Sequence, residues 1–357
     1  MTQHSSAISI KIDKTTQSRI HLCNFDNIQF GTIFSDHMFR VDYDNGEWQH
    51  PQILPYGNIP LSPSLSALHY GQSIFEGMKA FKNQAGEAQL FRPLDNLRRL
   101  NKSAARMAMP AIPEDLFMAG LKTLVKVDEN WIPTKEGSAL YIRPFMFATD
   151  DFVGVRPSKK FSLIIFTCPV NSYYPKPINV LVEQKYVRAF EGGVGATKVA
   201  GNYGLSMQPT FEAQQKGFDQ IIWTDGKEHQ YVEESGTTNL FFVIGDKVIT
   251  PALDGCILEG ITRDSCIQVL KKNGITIEER PVSIAEIMKA QQEGILKDAF
   301  GTGTAALIAK IASIHYNGTT HTLPPVETRE ISNMLYAELE NIRTSKVEDP
   351  FNWVVKA

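Results

Sequence analysis

The chain of 357 residues has four cysteines, Cys23, Cys168, Cys256 and Cys266, and no two of them form a C-x-x-C pair. Their scarcity excludes a disulfide framework, and their scatter gives no zinc-ligand spacing, so no metal is expected. The thiols read as buried or idle groups of a reducing compartment. No run of about 18 apolar residues occurs, so no membrane-spanning helix and no membrane partner are expected. The N-terminal segment lacks an apolar signal core and is poor in arginine for a transit peptide, which leaves the cytoplasm as the expected location. Charge of one sign is lacking too. Lys and Arg number 36 against 39 Asp and Glu, a net charge of -3, whereas a nucleic-acid binder would carry a basic surplus. What remains is ordinary for a globular protein: 43% hydrophobic and 21% charged residues, with length for about two domains.

Residues 1–25 are polar and read as a loosely attached arm. Ile33–Tyr43 reads as a strand closed by the turn Asp44-Asn45-Gly46, and residues 50–66, rich in Pro, Gly and Ser, read as loop. From Pro93 onward Leu94, Leu97, Leu100, Ala104 and Met107 recur at helical spacing. A second helix covers about Glu114 to Asn130, and strands follow at Ala139–Phe147 and Phe161–Pro169. Asn171–Ile178 carries two prolines and reads as an interdomain linker. The second half alternates strands (Phe218–Thr224, Asn239–Ile244, Lys247–Thr250) with helices at about Thr262–Lys272 and Ile284–Gln292. Helices and strands mix in both halves, which predicts an α+β protein of two domains: 1–170, small and N-terminal, and 179–357, large and C-terminal.

Residues 192–204 read GGVGATKVAGNYG, five glycines around one lysine. The run fits neither a phosphate-binding G-x-x-x-x-G-K-[ST] loop nor a dinucleotide fingerprint. Glycines let a backbone approach a ligand closely, and a desolvated lysine there can attack a carbonyl carbon. Taken alone, Lys198 reads as a solvated loop lysine.

Other segments change that reading. Residues 234–241 are Glu-Ser-Gly-Thr-Thr-Asn-Leu-Phe, followed by Val248-Ile249-Thr250 and Leu258-Glu259-Gly260-Ile261-Thr262-Arg263. This order and spacing resembles the signature of the class-IV aminotransferases, the fold-type-IV enzymes of pyridoxal 5'-phosphate (PLP). LHYGQSIFEGMKAF (68–81), LFRPLDNLRRL (90–100), YIRP (141–144), KVAGNYG (198–204) and GTGTA (301–305) are together similar to the branched-chain amino-acid aminotransferases. The resemblance runs from about residue 30 to residue 340.

The resemblance implies PLP as cofactor and an active site at the domain interface. It implies that Lys198 is the Schiff-base lysine and the carrier of the proton, a task a poised amine suits. It puts Glu234 on the pyridine nitrogen, which keeps the ring an electron sink. Glu233 is the neighbour to exclude, because the E-x-G-x-x-N spacing places Gly236 and Asn239 correctly only from Glu234. Tyr203 is implied at the cofactor's O3′ and Leu258 at its ring face. The phosphate is implied to lie on Ile261 and Thr262, whose N–H groups open a helix, with Thr304 and Arg92. The substrate carboxylate is implied to meet Thr304 and Ala305, with Tyr141 and Arg143. Those two alternate on one predicted strand and share a face, although Pro144 suggests that the strand ends there or lies at an edge. Phe34, Tyr70, Phe75 and Val155 are the candidates for an aliphatic pocket, Tyr70 and Val155 reaching in from a partner of a homodimer or higher oligomer.

The implied reaction is transfer of the amino group of L-leucine, L-isoleucine or L-valine to 2-oxoglutarate by a ping-pong route. The competing readings are another fold-type-IV enzyme, a D-amino-acid aminotransferase or aminodeoxychorismate lyase, and a catalytically inactive PLP-binding homologue. Some members of the family carry C-x-x-C just after the GTGTA turn. Here the run is GTGTAALIAK, so no thiol switch is expected at that place.

Overall fold

A computed structural model of the chain describes residues 8–357. Its contacts divide it into two units, one of residues up to Asn171 together with Arg343–Ala357, the other Ser172–Ile342. The break falls at the start of the proline-bearing linker. The last fifteen residues depart from the expected domains, because the C-terminal strand Val354–Lys356 pairs with Gln89–Phe91 of the first unit. The two units are of similar size, not small and large.

The first unit is built on a nine-stranded sheet. Its order is Lys11–Ile12, Glu47–Pro55, His37–Asp44, Phe161–Val170, Ala139–Ala148, Met78–Lys82, Ala88–Phe91 and Val354–Lys356, with Ser73–Phe75 also paired to Ala139–Ala148. All pairings are antiparallel except the first. Helix Pro93–Arg106 starts at its proline, as expected, and turns Leu97, Leu100 and Ala104 inward. Helix Glu114–Val127 buries Phe117, Leu121 and Leu124.

Three expectations need correction here. Residues 50–55 are strand rather than loop, since Gln52–Pro55 pair with His37–Arg40 and the strand runs on from Glu47, and nonlocal pairing outweighs the weak strand propensity of His-Pro-Gln. Pro144 does not end its strand, which runs on to Ala148. The Pro144 carbonyl accepts from Glu76 N–H at 2.8 Å. Its missing N–H therefore faces the gap where Ser73–Phe75 hands over to Met78–Lys82, and no ladder bond is lost. The N-terminal arm is fastened from residue 11 onward. Lys11 and Ile12 pair with Gln52 and Ile53, Thr15 N–H donates to His37 Nε2 at 3.0 Å, and Arg19 N–H donates to Asp36 at 2.7 Å. Residues 1–7 of that arm lie outside the described residues.

The second unit carries another nine-stranded sheet, in the order Val232–Ser235, Gln220–Thr224, Ile178–Val182, Leu307–Tyr316, Leu296–Gly303, Thr238–Ile244, Lys247–Thr250 and Ile277–Glu279, with Thr319–Thr322 also paired to Leu307–Tyr316. Val232–Ser235 also pairs with Thr238–Ile244, so the first six strands of that order close into a ring. Strand residues Val180, Val182, Leu240, Phe242 and Ile311 share a core with Ile284, Ile287 and Met288 of helix Ile284–Gln292. Closure brings the Val232–Ser235/Thr238–Ile244 hairpin against the end of Leu296–Gly303 through the pair Asn239↔Thr302.

Candidate active site

In the second unit, strand Val232–Ser235 presents Glu233 and Glu234 to opposite sides, as the period of two requires. Glu234 is 3% exposed. Its Oε1 accepts the Leu258 N–H at 2.7 Å and stands 3.3 Å from Arg188 Nη2. The Leu258 carbonyl accepts from Asn239 Nδ2 at 2.9 Å. The backbone of one residue, Leu258, is thus held at its N–H and at its carbonyl, by the glutamate and asparagine of the E-x-G-x-x-N run. Just beyond it, helix Ile261–Lys272 opens with Gly260 at its cap and no side-chain cap. A Cβ on Gly260 would stand 1.9 Å from Asn239 Oδ1, so only glycine lets the helix start so close to the strand. Leu258, Ile261 and Thr262 are all buried.

The glycine-rich run has its own reasons. Lys198 Nζ donates to Tyr203 Oη at 3.2 Å, and both are half-buried. Tyr203 sits on the short helix Ala200–Leu205 that follows the lysine. Asn202, buried, donates from Nδ2 to the Val194 carbonyl at 2.7 Å and the Thr197 carbonyl at 3.1 Å, which pins the loop before Lys198. A Cβ on Gly195 would lie 2.3 Å from the Cys256 carbonyl oxygen, so the loop approaches the Leu258 segment at backbone distance.

Arg188 ties these pieces together and has no motif to announce it. Its guanidinium donates to the Cys256 carbonyl, lies 3.4 Å from the Gly195 carbonyl and faces Glu234. Its only sequence signal is its place ten residues before Lys198. Glu233, turned away from Glu234, is buried. Burial pushes its carboxyl up to about 7, with Asp254 and Glu234 adding to the rise. Burial also raises the Cys256 thiol to about 11.

Thr304 and Ala305 lie in the turn between strands Leu296–Gly303 and Leu307–Tyr316. The ladder pair Asn239↔Thr302 and the bond from Thr302 Oγ1 to the Asn239 carbonyl at 3.5 Å bring that turn to the end of the sheet that Asn239 shares with Leu258. Direct contacts therefore join Lys198 to Tyr203 and Glu234 to Leu258. The asparagine connects the helix start at Ile261 and Thr262 with the turn at Thr304.

The first unit gathers its own candidates. Tyr141 and Arg143 share a face of strand Ala139–Ala148, and Arg143 Nη2 donates to Tyr141 Oη at 3.1 Å. The Arg143 guanidinium lies 4.8 Å from the Phe75 ring centroid. Phe34 stacks on Tyr56 and packs against the cluster that contains Tyr141. Arg92 holds a left-handed backbone, φ 52°. Its N–H donates to the Trp353 carbonyl at 2.8 Å, and its Nε bonds Asp95 at 2.7 Å. Tyr70 and Val155 are exposed, 42% and 88%, and stand on the surface of the single chain. Glu76 of the 68–81 run is fully buried. It accepts from Arg99 at 2.7 and 3.0 Å and from Asn96 at 2.8 Å, which fastens two of the motifs that carry the resemblance to each other.

The profile of the amino-transferase class IV family matches residues 73–314. The chain is 43% identical over 335 residues to branched-chain-amino-acid transaminase 1 of Bacillus subtilis (strain 168), covering 92% of this chain and 94% of that protein. It is 44% identical over 336 residues to branched-chain-amino-acid aminotransferase 2 of the same organism, covering 93% of this chain and 92% of that protein. The crystal structure of the branched-chain amino acid aminotransferase of Escherichia coli is similar with a TM-score of 0.74, 25% identity, and coverage of 90% of this chain and 99% of that one. The fold and the matched motifs define an aminotransferase of fold type IV. The chain belongs to the class-IV aminotransferases, in their branched-chain amino-acid branch.

Proposed function

We propose that the protein transfers the amino group of L-leucine, L-isoleucine or L-valine to 2-oxoglutarate, with pyridoxal 5'-phosphate as cofactor, giving the branched-chain 2-oxo acids and L-glutamate. The observation that carries this reading is the arrangement of Lys198, Tyr203 and Glu234 about the Leu258–Thr262 segment. An amine bonded to a phenol, a buried carboxylate and a helix start with no side-chain cap occur in one unit. These groups fit PLP, which offers a carbonyl carbon, a basic ring nitrogen and a phosphate dianion. When bound, the cofactor supplies an electron sink for the carbanion at the substrate Cα.

The chain's own residues do the rest. Lys198 holds the cofactor covalently and carries the proton at Cα, and Tyr203 orients its amine. Glu234, fixed by the Leu258 N–H and flanked by Arg188, keeps the ring nitrogen protonated. Leu258 would lie against the ring face. The N–H groups of Ile261 and Thr262, with Thr304 and Arg92, hold the phosphate. Thr304 and Ala305 N–H groups, with Tyr141 and Arg143, bind the substrate carboxylate. Phe34 and Phe75, with Tyr70 and Val155, shape the aliphatic pocket.

No helix among the described residues is long and apolar enough to cross a membrane. The protein works in the cytoplasm as a homodimer, a reading supported by exposed Phe190, Leu205, Met207 and Phe211 near the lysine and by Val155.

The test is the visible spectrum of the PLP-loaded protein before and after L-leucine, with Lys198→Ala alongside. The parent's band fades with L-leucine, and the variant shows neither the parent's band nor turnover. A band that ignores L-leucine and responds to D-alanine overturns the substrate. A Lys198→Ala protein with the parent's spectrum overturns the lysine.

A further inference from the structure

On the side of strand Val232–Ser235 away from Glu234, three groups converge that the reaction does not use. They are the carboxylates of Glu233 and Asp254 and the thiol of Cys256, with ligand atoms within 4.8 Å of one another. Glu233 is 4% exposed, and its Oε2 is buried with no hydrogen-bond partner. A buried carboxylate oxygen with no donor is costly and marks a place where a partner is missing. Cys256 is buried as well, 7% exposed. Asp254 is exposed and opens the cluster to solvent. Its Oδ1 accepts the Cys256 N–H at 2.8 Å, which fixes the turn that aligns the two side chains.

The geometry points to a binding site for a divalent cation of the zinc type, held by Glu233, Asp254 and Cys256. One sulfur and two oxygen donors suit a borderline-soft ion. A small rotation of Asp254 closes the triangle to the ~2.0–2.3 Å bonds that zinc makes, and water completes the coordination from the open side. Binding breaks the Cys256 S–H bond and, in chains where Glu233 is protonated, its O–H bond; the sulfur–metal and oxygen–metal bonds form and each proton released goes to solvent. The resulting two carboxylates and thiolate are offset by the cation and by the Arg188 guanidinium, which donates to the Cys256 carbonyl. The donors lie 21 residues or more apart from Glu233 to the other two, so no metal-ligand spacing announces them. The site does not depend on the substrate reading. It does act on the same segment, because Cys256 and Leu258 are two residues apart, and an ion there holds the peptide on which Glu234 rests.

The experiment is equilibrium dialysis of the chelator-treated holoenzyme against micromolar Zn²⁺, with metal content measured per chain, for the parent and for Glu233→Gln, Cys256→Ser, Asp254→Asn and Cys23→Ser. A ¹¹³Cd NMR spectrum of the parent reads the thiolate ligand. The parent and Cys23→Ser take up one zinc per chain, and the three ligand variants bind at least about tenfold more weakly, the loss that even an outer-shell change produces. A parent that holds no zinc, or a folded ligand variant that binds as tightly as the parent, overturns the site. Asp254→Asn lies at an exposed position, and it decides the matter if the two buried variants fail to fold by circular dichroism.

Discussion

Replacing Gly260 with alanine adds one methyl group where the helix Ile261–Lys272 meets the E-x-G-x-x-N strand. The Gly260 backbone has φ −67°, a conformation any residue adopts, so the whole effect is steric. The new Cβ stands 1.9 Å from Asn239 Oδ1, and one of two things gives way. If the Asn239 amide swings aside, its bond to the Leu258 carbonyl at 2.9 Å is lost. That leaves a buried polar group unsatisfied, at about 1–3 kcal/mol. If the helix start retreats, the overpacking costs about 1–3 kcal/mol, and the Ile261 and Thr262 N–H groups move with it. Either route destabilises the second unit by ~1–3 kcal/mol, which for a domain of its length lowers Tm by roughly 2–12 °C. Scanning calorimetry of the holoenzyme and of the cofactor-free protein measures this, and a PLP titration measures affinity. The fall in Tm is expected in both forms, with weaker cofactor binding. Gly201→Ala serves as the control, since nothing lies within 4 Å of its added Cβ. A Gly260→Ala protein that melts and binds PLP as the parent does refutes the reasoning.

On the proposed mechanism Lys198→Ala removes the proton carrier, and turnover falls by ~10²–10⁴ or more while circular dichroism stays that of the parent; steady-state kinetics with L-leucine and 2-oxoglutarate measure it. Arg188→Met takes the guanidinium from beside Glu234 and releases the Gly195 and Cys256 carbonyls. The loss of charged hydrogen bonds worth ~1.5–3 kcal/mol weakens PLP binding roughly 10–100-fold, read by titrating cofactor-free protein. Glu76→Gln removes one charge of a buried bidentate pair with Arg99 and destabilises the first unit by ~3–5 kcal/mol, measured by urea unfolding. Asp298→Asn does the same to Arg329 in the second unit, where both side chains are almost wholly buried at 3.4 Å. It costs ~3 kcal/mol or more, seen as a lower urea midpoint.

Much of the fold was legible where local signals act alone. Helix Pro93–Arg106 announces itself by its proline and its apolar spacing. Helix Ile284–Gln292 has a serine cap, with Ser283 Oγ accepting the Glu286 N–H at 3.1 Å. The strand Lys247–Thr250 follows a plain turn at Gly245 and Asp246. What stayed hidden depends on distant partners. Residues 50–55 carry two prolines around a short apolar pair, and pairing of Gln52–Pro55 with His37–Arg40 makes them strand. The same holds for Val354–Lys356, whose partner lies far earlier in the chain. In the site, Lys198, Tyr203 and Glu234 belong to contiguous motifs and could be read. Arg188 could not, because it binds carbonyl groups, which every residue has and no sequence displays. Glu233, Asp254 and Cys256 meet only after the strand and the following loop have folded.

The return of the C-terminus to the first sheet bears on how the chain is made. Val354–Lys356 covers the edge of Ala88–Phe91, and Trp353 accepts the N–H of Arg92 and lies under its guanidinium at 5.1 Å. During synthesis that edge and that arginine wait until the whole second unit has left the ribosome. Until then the first unit exposes a strand edge open to wrong pairing. Residues 353–356 therefore join the first sheet late in folding, and cutting them away would bare the Ala88–Phe91 edge and take the Trp353 carbonyl from the Arg92 N–H, while the Arg92 side chain keeps its bond to Asp95.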